Sequence, residues 1–417
     1  MRFLRRLAVD TTPLRTSPAF RRLWLGQAIS FVGRRMTLVA LPVQVYQLTG
    51  SPLMVGLLSF AQFVPLFSLT VVGGLFADAG DRRRLLLATE TGMALCVVGL
   101  VVNAALPHPQ VWACFVFGAL SWSFFSFGAG SSRSLTPRLV PPEQLPAAAA
   151  LNGVYSQLGA VLGPAFAGVL IESIGLSATY SIDLATSTAA IASVASLPSI
   201  APYDDAATPG LHALREGFSY IRGQRVILAF FLIDSMAMVF GMPNALFPAV
   251  ADRIFGNPAA VGYLFAAPAA GAFCAALLSG WAGRIRRQGM AVVVAASAWG
   301  AAMAAFGFAQ SLWIGLFFLA VAGASDQVSA IFRSTMMMTL TPDRLRGRLS
   351  GIEFAQVAST PALGNLEAGV VASLISLRFA IVSGGVACVA STLLLALAFP
   401  ALVRYDSRRL ALDAAAA

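Results

Sequence analysis

Eight ionisable residues stand inside long apolar stretches of this 417-residue chain, and their side chains are the ones that could do chemistry. They are Arg34, Arg35, Glu90, Asp183, Asp234, Asp326, Glu353 and Glu367. Because a charge facing hydrocarbon costs at least ~2.5 kcal/mol, we expect most of these groups to face a protein interior or a water-filled cavity. There a guanidinium group can attract an anion, and a buried carboxylate can load and release a proton.

The segments that carry these residues are long enough to cross a bilayer. Hydrophobic residues make up 58% of the chain and charged residues 11%, whereas a soluble domain carries roughly 25% charged residues. A spanning helix needs ~20 apolar residues, and twelve segments qualify. We number them spans 1 to 12, at about 23–47, 55–77, 85–106, 111–131, 147–171, a sixth ending at 197, 226–250, 259–282, 289–309, 311–333, 349–375 and 379–402. The sequence predicts an all-α, multi-pass membrane protein.

Arginines set the predicted orientation. All 28 basic residues are arginine, and 24 of them fall at one set of span ends, against two on the opposite loops, Arg253 and Arg378. By the positive-inside rule, the arginine-rich ends and both termini lie in the cytoplasm. A net charge of +10 suggests nucleic acid in a soluble chain, but here the arginines orient the spans, with some attraction to anionic lipid. We expect the lipid bilayer, and not nucleic acid, as the partner.

The two halves of the chain show an internal sequence repeat. At an offset of 206 residues, Pro52, Val55, Gly56 and Gly74 recur as Pro258, Val261, Gly262 and Gly280. A polar stretch at 198–225, with apolar residues at helical spacing, separates the halves and suggests an amphipathic interfacial helix. We predict an N-terminal six-helix bundle at 1–197, a cytoplasmic linker at 198–225 and a C-terminal six-helix bundle at 226–417.

The turn between spans 2 and 3 has the pattern Gly74-x-x-x-Asp78-x-x-x-Arg82-Arg83. This pattern resembles the loop 2–3 signature of the major facilitator superfamily of secondary transporters, although Ala79 stands where a basic residue is usual and Asp81 where glycine is usual. An acid at that position looks like the bacterial enterobactin (siderophore) exporters of the superfamily. The resemblance implies the major facilitator fold, with 12 transmembrane helices in two six-helix bundles related by pseudo-twofold symmetry. The alternative is an arginine cluster that only orients the chain.

The same turn suggests a mechanical role. Asp78 ends span 2 on the cytoplasmic side, where span 11 begins just after Arg348. A carboxylate beside a helix N-terminus and an arginine is stabilised by ~0.3–1 kcal/mol. We hypothesise that Asp78 latches the N-terminal half to the start of span 11. The predicted gating residues are Gly74, Asp78, Asp81, Arg82, Arg83 and Arg348.

Span 5 contains the pattern Gly159-x-x-x-Gly163-Pro164-x-x-x-Gly168. Small residues at this spacing let helices approach closely, and a proline bends the helix. The pattern resembles the antiporter signature of superfamily exporters, but such spacing also occurs in membrane bundles of other kinds.

In the implied fold, spans 1, 4, 7 and 10 line the substrate cavity, which singles out four charged residues. Arg34 and Arg35 are adjacent and about 100° apart on a helix, so one is expected to face the cavity while the other pairs sideways. Asp234 and Asp326 are the expected carboxylate partners. A purely structural ion network is the alternative.

Further candidates complete the predicted cavity. Asp234, Asp326 and Glu367 are deep enough to carry a proton, whereas Glu90, Glu353 and Asp183 lie nearer span ends and are read as interfacial. Trp122 and Phe125 could stack on a ligand or pack in the core. Asn244 stands where the exporter group commonly has a basic residue.

These patterns predict a proton-coupled transporter that exports a siderophore-like or other amphipathic small molecule by alternating access. The alternatives are multidrug efflux and, in a different class, a non-transporting receptor or scaffold. No nucleophile, base and metal set clusters in the sequence, so we expect no enzyme, cofactor or metal site. The expected location is the bacterial cytoplasmic membrane, and the expected partners are protons and a small molecule, with the chain a monomer.

Overall fold

A computed structural model describes residues 10–79, 81–198 and 211–406, with the backbone alone at 67, 70–79, 82, 129–134 and 211–214. The described residues form helices joined by short turns. The α-helices are α1 (Thr12–Thr16), α2 (Pro18–Thr49), α3 (Pro52–Ala79), α4 (Arg82–Ala105), α5 (Val111–Leu139), α6 (Leu145–Ala195), α7 (Leu211–Gly223), α8 (Arg225–Phe240), α9 (Phe247–Arg253), α10 (Ala260–Leu277), α11 (Gln288–Gly307), α12 (Leu312–Leu340), α13 (Asp343–Leu374), α14 (Leu377–Ala398) and α15 (Pro400–Val403). Single 3₁₀ turns lie at Pro142–Gln144, Asn244–Leu246 and Ser279–Arg284.

These helices account for the twelve predicted spans. Within the described residues, eight helical segments are long and apolar enough to cross a membrane by length and composition. One of them, α6, holds both span 5 and span 6. Gly175 separates the two spans, because it breaks the helix with a positive φ of 86° that glycine adopts without steric cost. Helices α2, α3 and α13 supply the remaining spans with 32, 28 and 32 residues. The prediction of an all-α membrane protein with twelve spans is confirmed.

One compact unit contains residues 1–48 and 61–208. Its helices meet through apolar side chains drawn from four of them, with Leu23 of α2, Leu86 of α4, Leu135 of α5 and Val194 of α6 in a single buried cluster. Burying side chains of this size stabilises the unit by ~1.5–3 kcal/mol each. These contacts hold the charged positions of α2, α4 and α6 at fixed separations.

The other compact unit contains residues 49–60 and 209–417. Its main core cluster joins Ile221 of α7 and Ile227 of α8 to Val292 of α11, Phe332 of α12 and Leu349 of α13. The helical part of the predicted linker is therefore packed into this unit. The first turns of α3 also belong to it, whereas the sequence places all of span 2 in the N-terminal bundle, so the predicted boundaries stay a proposal.

Candidate functional site

A buried ion network lies within the second unit. The Arg333 side chain of α12 pairs with Asp234 of α8 and lies 3.8 Å, Nη2 to Oδ1, from Asp326. Asp326, Ser329 and Arg333 share one face of α12 because they are spaced three, four and seven residues apart. The Arg333 side chain is 8% exposed, whereas that of Asp326 is 46% exposed. One guanidinium group thus serves two carboxylates, one buried and one accessible.

A third helix fixes the buried carboxylate of this network. Gln356 of α13 donates from Nε2 to Asp234 Oδ2 at 3.1 Å, and to the Phe231 carbonyl oxygen at 3.1 Å. A cavity of about 20 Å³, lined by residues that include Asp234, Asp326, Arg333 and Trp299, adjoins the network. A polar cavity of this size has room for about one water molecule. When ionised, Asp234, Asp326 and Arg333 together carry a charge of −1, so uptake of one proton by either carboxylate neutralises these three groups.

A second network lies within the first unit. Arg34 of α2 donates from Nη1 to both carboxylate oxygens of Glu90 in α4, at 3.0 and 3.2 Å. Gln27 closes the ring, because its Nε2 donates to Glu90 Oε1 and its Oε1 accepts from Arg34 Nη2, each at 3.0 Å. The predicted pairing of Arg34 with Asp234 and Asp326 is therefore wrong. Those carboxylates pair with Arg333, since partner choice depends on which helices are neighbours.

Asp183 of α6 and Glu90 are both buried among protein side chains, which their interpretation as interfacial residues does not predict. Thr37 donates from Oγ1 to Asp183 Oδ2 at 2.5 Å, and Ser187 donates to Oδ1 at 3.4 Å. A β-carbon at Gly33 of α2 would overlap the side chains of Asp183 and Thr186, so this glycine lets α6 approach α2 closely. That approach covers a carboxylate near the middle of the part of α6 that follows Gly175.

Arg35 points away from its neighbour Arg34, as adjacent positions on a helix require. Its guanidinium carbon lies 4.9 Å from the centroid of the Phe31 ring, a cation–π contact. Gly159 faces the Phe31 ring and Gly163 faces the Arg35 side chain. The antiporter-like residues Gly159, Gly163, Pro164 and Gly168 are all buried. This motif therefore packs α6 against the arginine-bearing face of α2.

The other predicted cavity residues do not join either network. Trp122 and Phe125 form an edge-to-face pair with ring centroids 5.3 Å apart. Glu367 is half-buried in α13 and forms no ion pair with the described residues. Asn244 lies in the 3₁₀ turn between α8 and α9. The nearby Asn365 accepts from the Ala245 backbone N–H at 2.9 Å and so stabilises this break in span 7.

The predicted gating turn contains two capping interactions. Asp81 accepts hydrogen bonds from the backbone N–H groups of Arg83 and Arg84, at 2.9 and 3.4 Å, and so caps the N-terminus of α4. Arg83 in turn donates to the carbonyl oxygens of Val194 and Ala195 at the end of α6. The side chains of Asp78 and Arg82 and the surroundings of Gly74 lie outside the described residues. Where the superfamily pattern has glycine, this chain uses an acid as a helix cap.

Arg348 pairs with Glu216 of α7, which also lies 3.6 Å from Arg344. Tyr220 of α7 donates to the Leu340 carbonyl oxygen at 2.6 Å, so α7 is held against the ends of α12 and α13. The proposed partner of Arg348, Asp78, has no described side chain, so the latch stays a hypothesis.

Sequence reasoning missed five side chains that the structure brings to these networks: Gln27, Thr37, Glu216, Arg333 and Gln356. Arg333 ends predicted span 10, so the sequence alone counts it among the arginine-rich span ends, and Arg133 stands 200 residues before it. Its seven-residue spacing from Asp326 was the signal that could have revealed an ion pair on one helix face. The uncharged partners carried no comparable signal.

Twelve apolar spans in two compact units, with ion pairs buried inside the spans, define a polytopic membrane protein, and its relatives and fold neighbours are transporters of the major facilitator type, not enzymes. A model of the family described as transmembrane secretion effector matches residues 8–411, and the chain belongs to this family.

Curated relatives and solved structures agree with this assignment. The chain is 30% identical over 351 residues to the enterobactin exporter EntS of Shigella boydii serotype 18 (strain CDC 3083-94 / BS512), covering 84% of each protein. It has the same identity and coverage with EntS of Escherichia coli O81 (strain ED1a). The crystal structure of nucleoside transporter NupG superposes with a TM-score of 0.73 at 14% identity, covering 93% of this chain and 100% of the NupG chain. That likeness concerns the fold alone.

Proposed function

We propose that this protein is a proton-coupled exporter of a siderophore-like, amphipathic small molecule, working by alternating access as a monomer in the bacterial cytoplasmic membrane, with both termini in the cytoplasm. The observation that carries the proposal is the network of Arg333 with Asp234 and Asp326 inside the spans. The relatives named as enterobactin exporters support the direction of transport and the class of substrate. The arginine-rich span ends support the orientation.

Proton coupling requires that protons and substrate compete for one group. Asp326 is suited to this role because its carboxylate is accessible, whereas Asp234 is held by both Arg333 and Gln356. A substrate hydroxyl or amide that donates a hydrogen bond to Asp326 binds the ionised carboxylate more tightly than the protonated one, because a charge-assisted hydrogen bond is roughly twice as strong as a neutral one. Protonation of Asp326 then removes the charge, weakens that hydrogen bond and favours release of the substrate. Because proton and substrate compete for Asp326, the protein can exchange one for the other across the membrane.

Arg333 serves the cycle as the cation that both carboxylates share. It stays close to Asp234 while Asp326 binds a proton or substrate, so the buried carboxylate is compensated at each step. Arg34 and Glu90 form the corresponding charged pair in the first unit, where Gln27 completes their hydrogen bonds. We assign that ring to holding α2 and α4 together, and not to carrying the proton.

The test is flux into inverted membrane vesicles that contain the protein under an imposed pH gradient. A siderophore panel and a drug panel are compared for the native chain and for Asp326→Asn. Asp343→Asn is the matched control, because Asp343 is an exposed carboxylate paired with Arg346 outside the network. We expect gradient-driven accumulation of a siderophore that is lost in Asp326→Asn and kept in Asp343→Asn.

Two results would contradict the proposal. Accumulation of drugs but not siderophores would support multidrug efflux instead. Absence of gradient-driven movement for every compound would support a receptor or scaffold.

A further inference from the structure

An apolar groove of about 530 Å³ lies on the second unit, apart from the ion network. Its walls are one face of α11, which includes Val294, and one face of α12, which includes Val321 and Val328. Trp281 and Arg287, from the turn between α10 and α11, stand at one end. Val294 and Trp281 are exposed, so the groove opens outward from the helices. The turn at its end belongs to the arginine-rich set of span ends.

The length of the groove matches one leaflet of a bilayer. Its α12 wall runs from Val321 to Phe332, which are eleven positions apart and so separated by roughly 16 Å along the helix. The hydrocarbon core of a bilayer is about 30 Å thick, so one leaflet is roughly 15 Å deep. Trp281 contacts Phe332, with ring centroids 6.1 Å apart, at the end where the arginines lie. Tryptophan is favoured at that depth, where its ring meets the headgroup region.

The arginines at this end have no protein partner among the described residues. Arg284, Arg286 and Arg287 are exposed, and none of them forms an ion pair within the described part of the chain. The arginines at the start of α13 differ, because Arg346 pairs with Asp343 and Arg348 pairs with Glu216. Among the described residues, the turn beside the groove therefore carries three arginines without an ion pair, whereas at the start of α13 two acids lie beside three arginines.

We infer that this groove binds one anionic phospholipid, with an acyl chain between α11 and α12 and the headgroup phosphate at Arg287 and its neighbours. The apolar walls match the chain, and the uncompensated guanidinium groups match the phosphate. The site is distinct from the ion network and does not depend on which molecule the protein transports. The site distinguishes this lipid from the others around the helices because its arginines attract the anionic headgroup and its apolar groove holds the acyl chain.

The headgroup half of the inference is tested by native mass spectrometry of the purified full-length protein. Phosphatidylglycerol and phosphatidylethanolamine with identical dioleoyl chains are titrated in parallel. Each arginine near a surface of anionic lipid contributes about a five-fold gain in affinity. We therefore expect phosphatidylglycerol to bind more tightly, and Arg287→Gln to weaken its binding about five-fold. Arg346→Gln removes the same charge from a paired arginine and is expected to change nothing.

The acyl-chain half is tested by quenching of Trp281 fluorescence with phosphatidylglycerol brominated on its chains. The part of the quenching that the native chain shows and Trp281→Phe lacks is the signal from the groove. Ala324→Phe fills the groove and is expected to abolish that signal, whereas Val386→Phe adds the same ring at an exposed position of α14 and is expected to keep it.

Equal binding of the two lipids, or equal behaviour of Arg287→Gln and Arg346→Gln, would overturn the inference and leave only ordinary surrounding lipid. A groove signal that survives Ala324→Phe would overturn the assignment of the chain to this groove.

Discussion

Replacing Arg333 with glutamine should destabilise the protein far more than removing a surface arginine. The side chains of Arg333 and Asp234 are 8% and 6% exposed, and Asp326 relies on the same guanidinium group. Removing one partner of a buried ion pair costs ~3–5 kcal/mol, because it leaves an uncompensated buried charge. The double variant Arg333→Gln with Asp234→Asn removes both charges. We expect it to recover ~1–3 kcal/mol relative to the sum of the single losses.

Arg346 provides the matched control for this prediction. It pairs with Asp343 at 2.8 Å, but the two side chains are 51% and 88% exposed, and such a pair is worth ~0–1 kcal/mol. The free energy of unfolding of each variant is measured by denaturant titration in detergent micelles. The reasoning is refuted if Arg333→Gln costs no more than Arg346→Gln. It is also refuted if the losses of the two single variants simply add in the double variant.

Three further predictions concern packing and caps. Gly163→Ala should lower the free energy of unfolding by ~1–3 kcal/mol, because the new methyl group overlaps the Arg35 side chain. Gly153→Ala is the control: no atom lies within 4 Å of the new methyl group, so this variant should be neutral or stabilising by up to ~1 kcal/mol. Unfolding titrations of both variants check the difference, and equal effects would contradict the close contact of α6 with α2. Glu216→Gln should loosen α7 from α13 and increase hydrogen exchange in α7, while unchanged exchange would show that the Tyr220 hydrogen bond and the apolar contacts are sufficient to hold it. Asp81→Ala should cost ~1 kcal/mol through loss of the α4 cap, and an unaltered free energy of unfolding would argue against capping.

Local features of the chain were predictable from the sequence. The apolar lengths of the spans indicated twelve membrane helices, because one run of ~20 apolar residues is sufficient for a span whatever its neighbours are. The twelve spans and the family resemblance are confirmed. The glycine pattern of span 5 likewise predicted a close helix contact, and the structure shows Gly159 and Gly163 against α2.

The pairing of charges was not predictable in the same way. Glu90 and Asp183 were placed near span ends by their position in the sequence, but the structure buries both of them. Asp81 was assigned to a gating motif, yet its described contacts are those of a helix cap. Gln356 and Gln27 carry no charge, so only their hydrogen bonds reveal them.

The sequence by itself determined that this protein is a bundle of membrane helices with charged groups buried inside them. That outcome follows from the free energy of transferring apolar residues and charges, which each segment carries independently of its neighbours. Only the tertiary structure decided that Arg333 compensates Asp234 and Asp326 and that Arg34 compensates Glu90. Ion pairs act over a few ångströms, so their partners depend on which helix faces come together, and no single span encodes that choice.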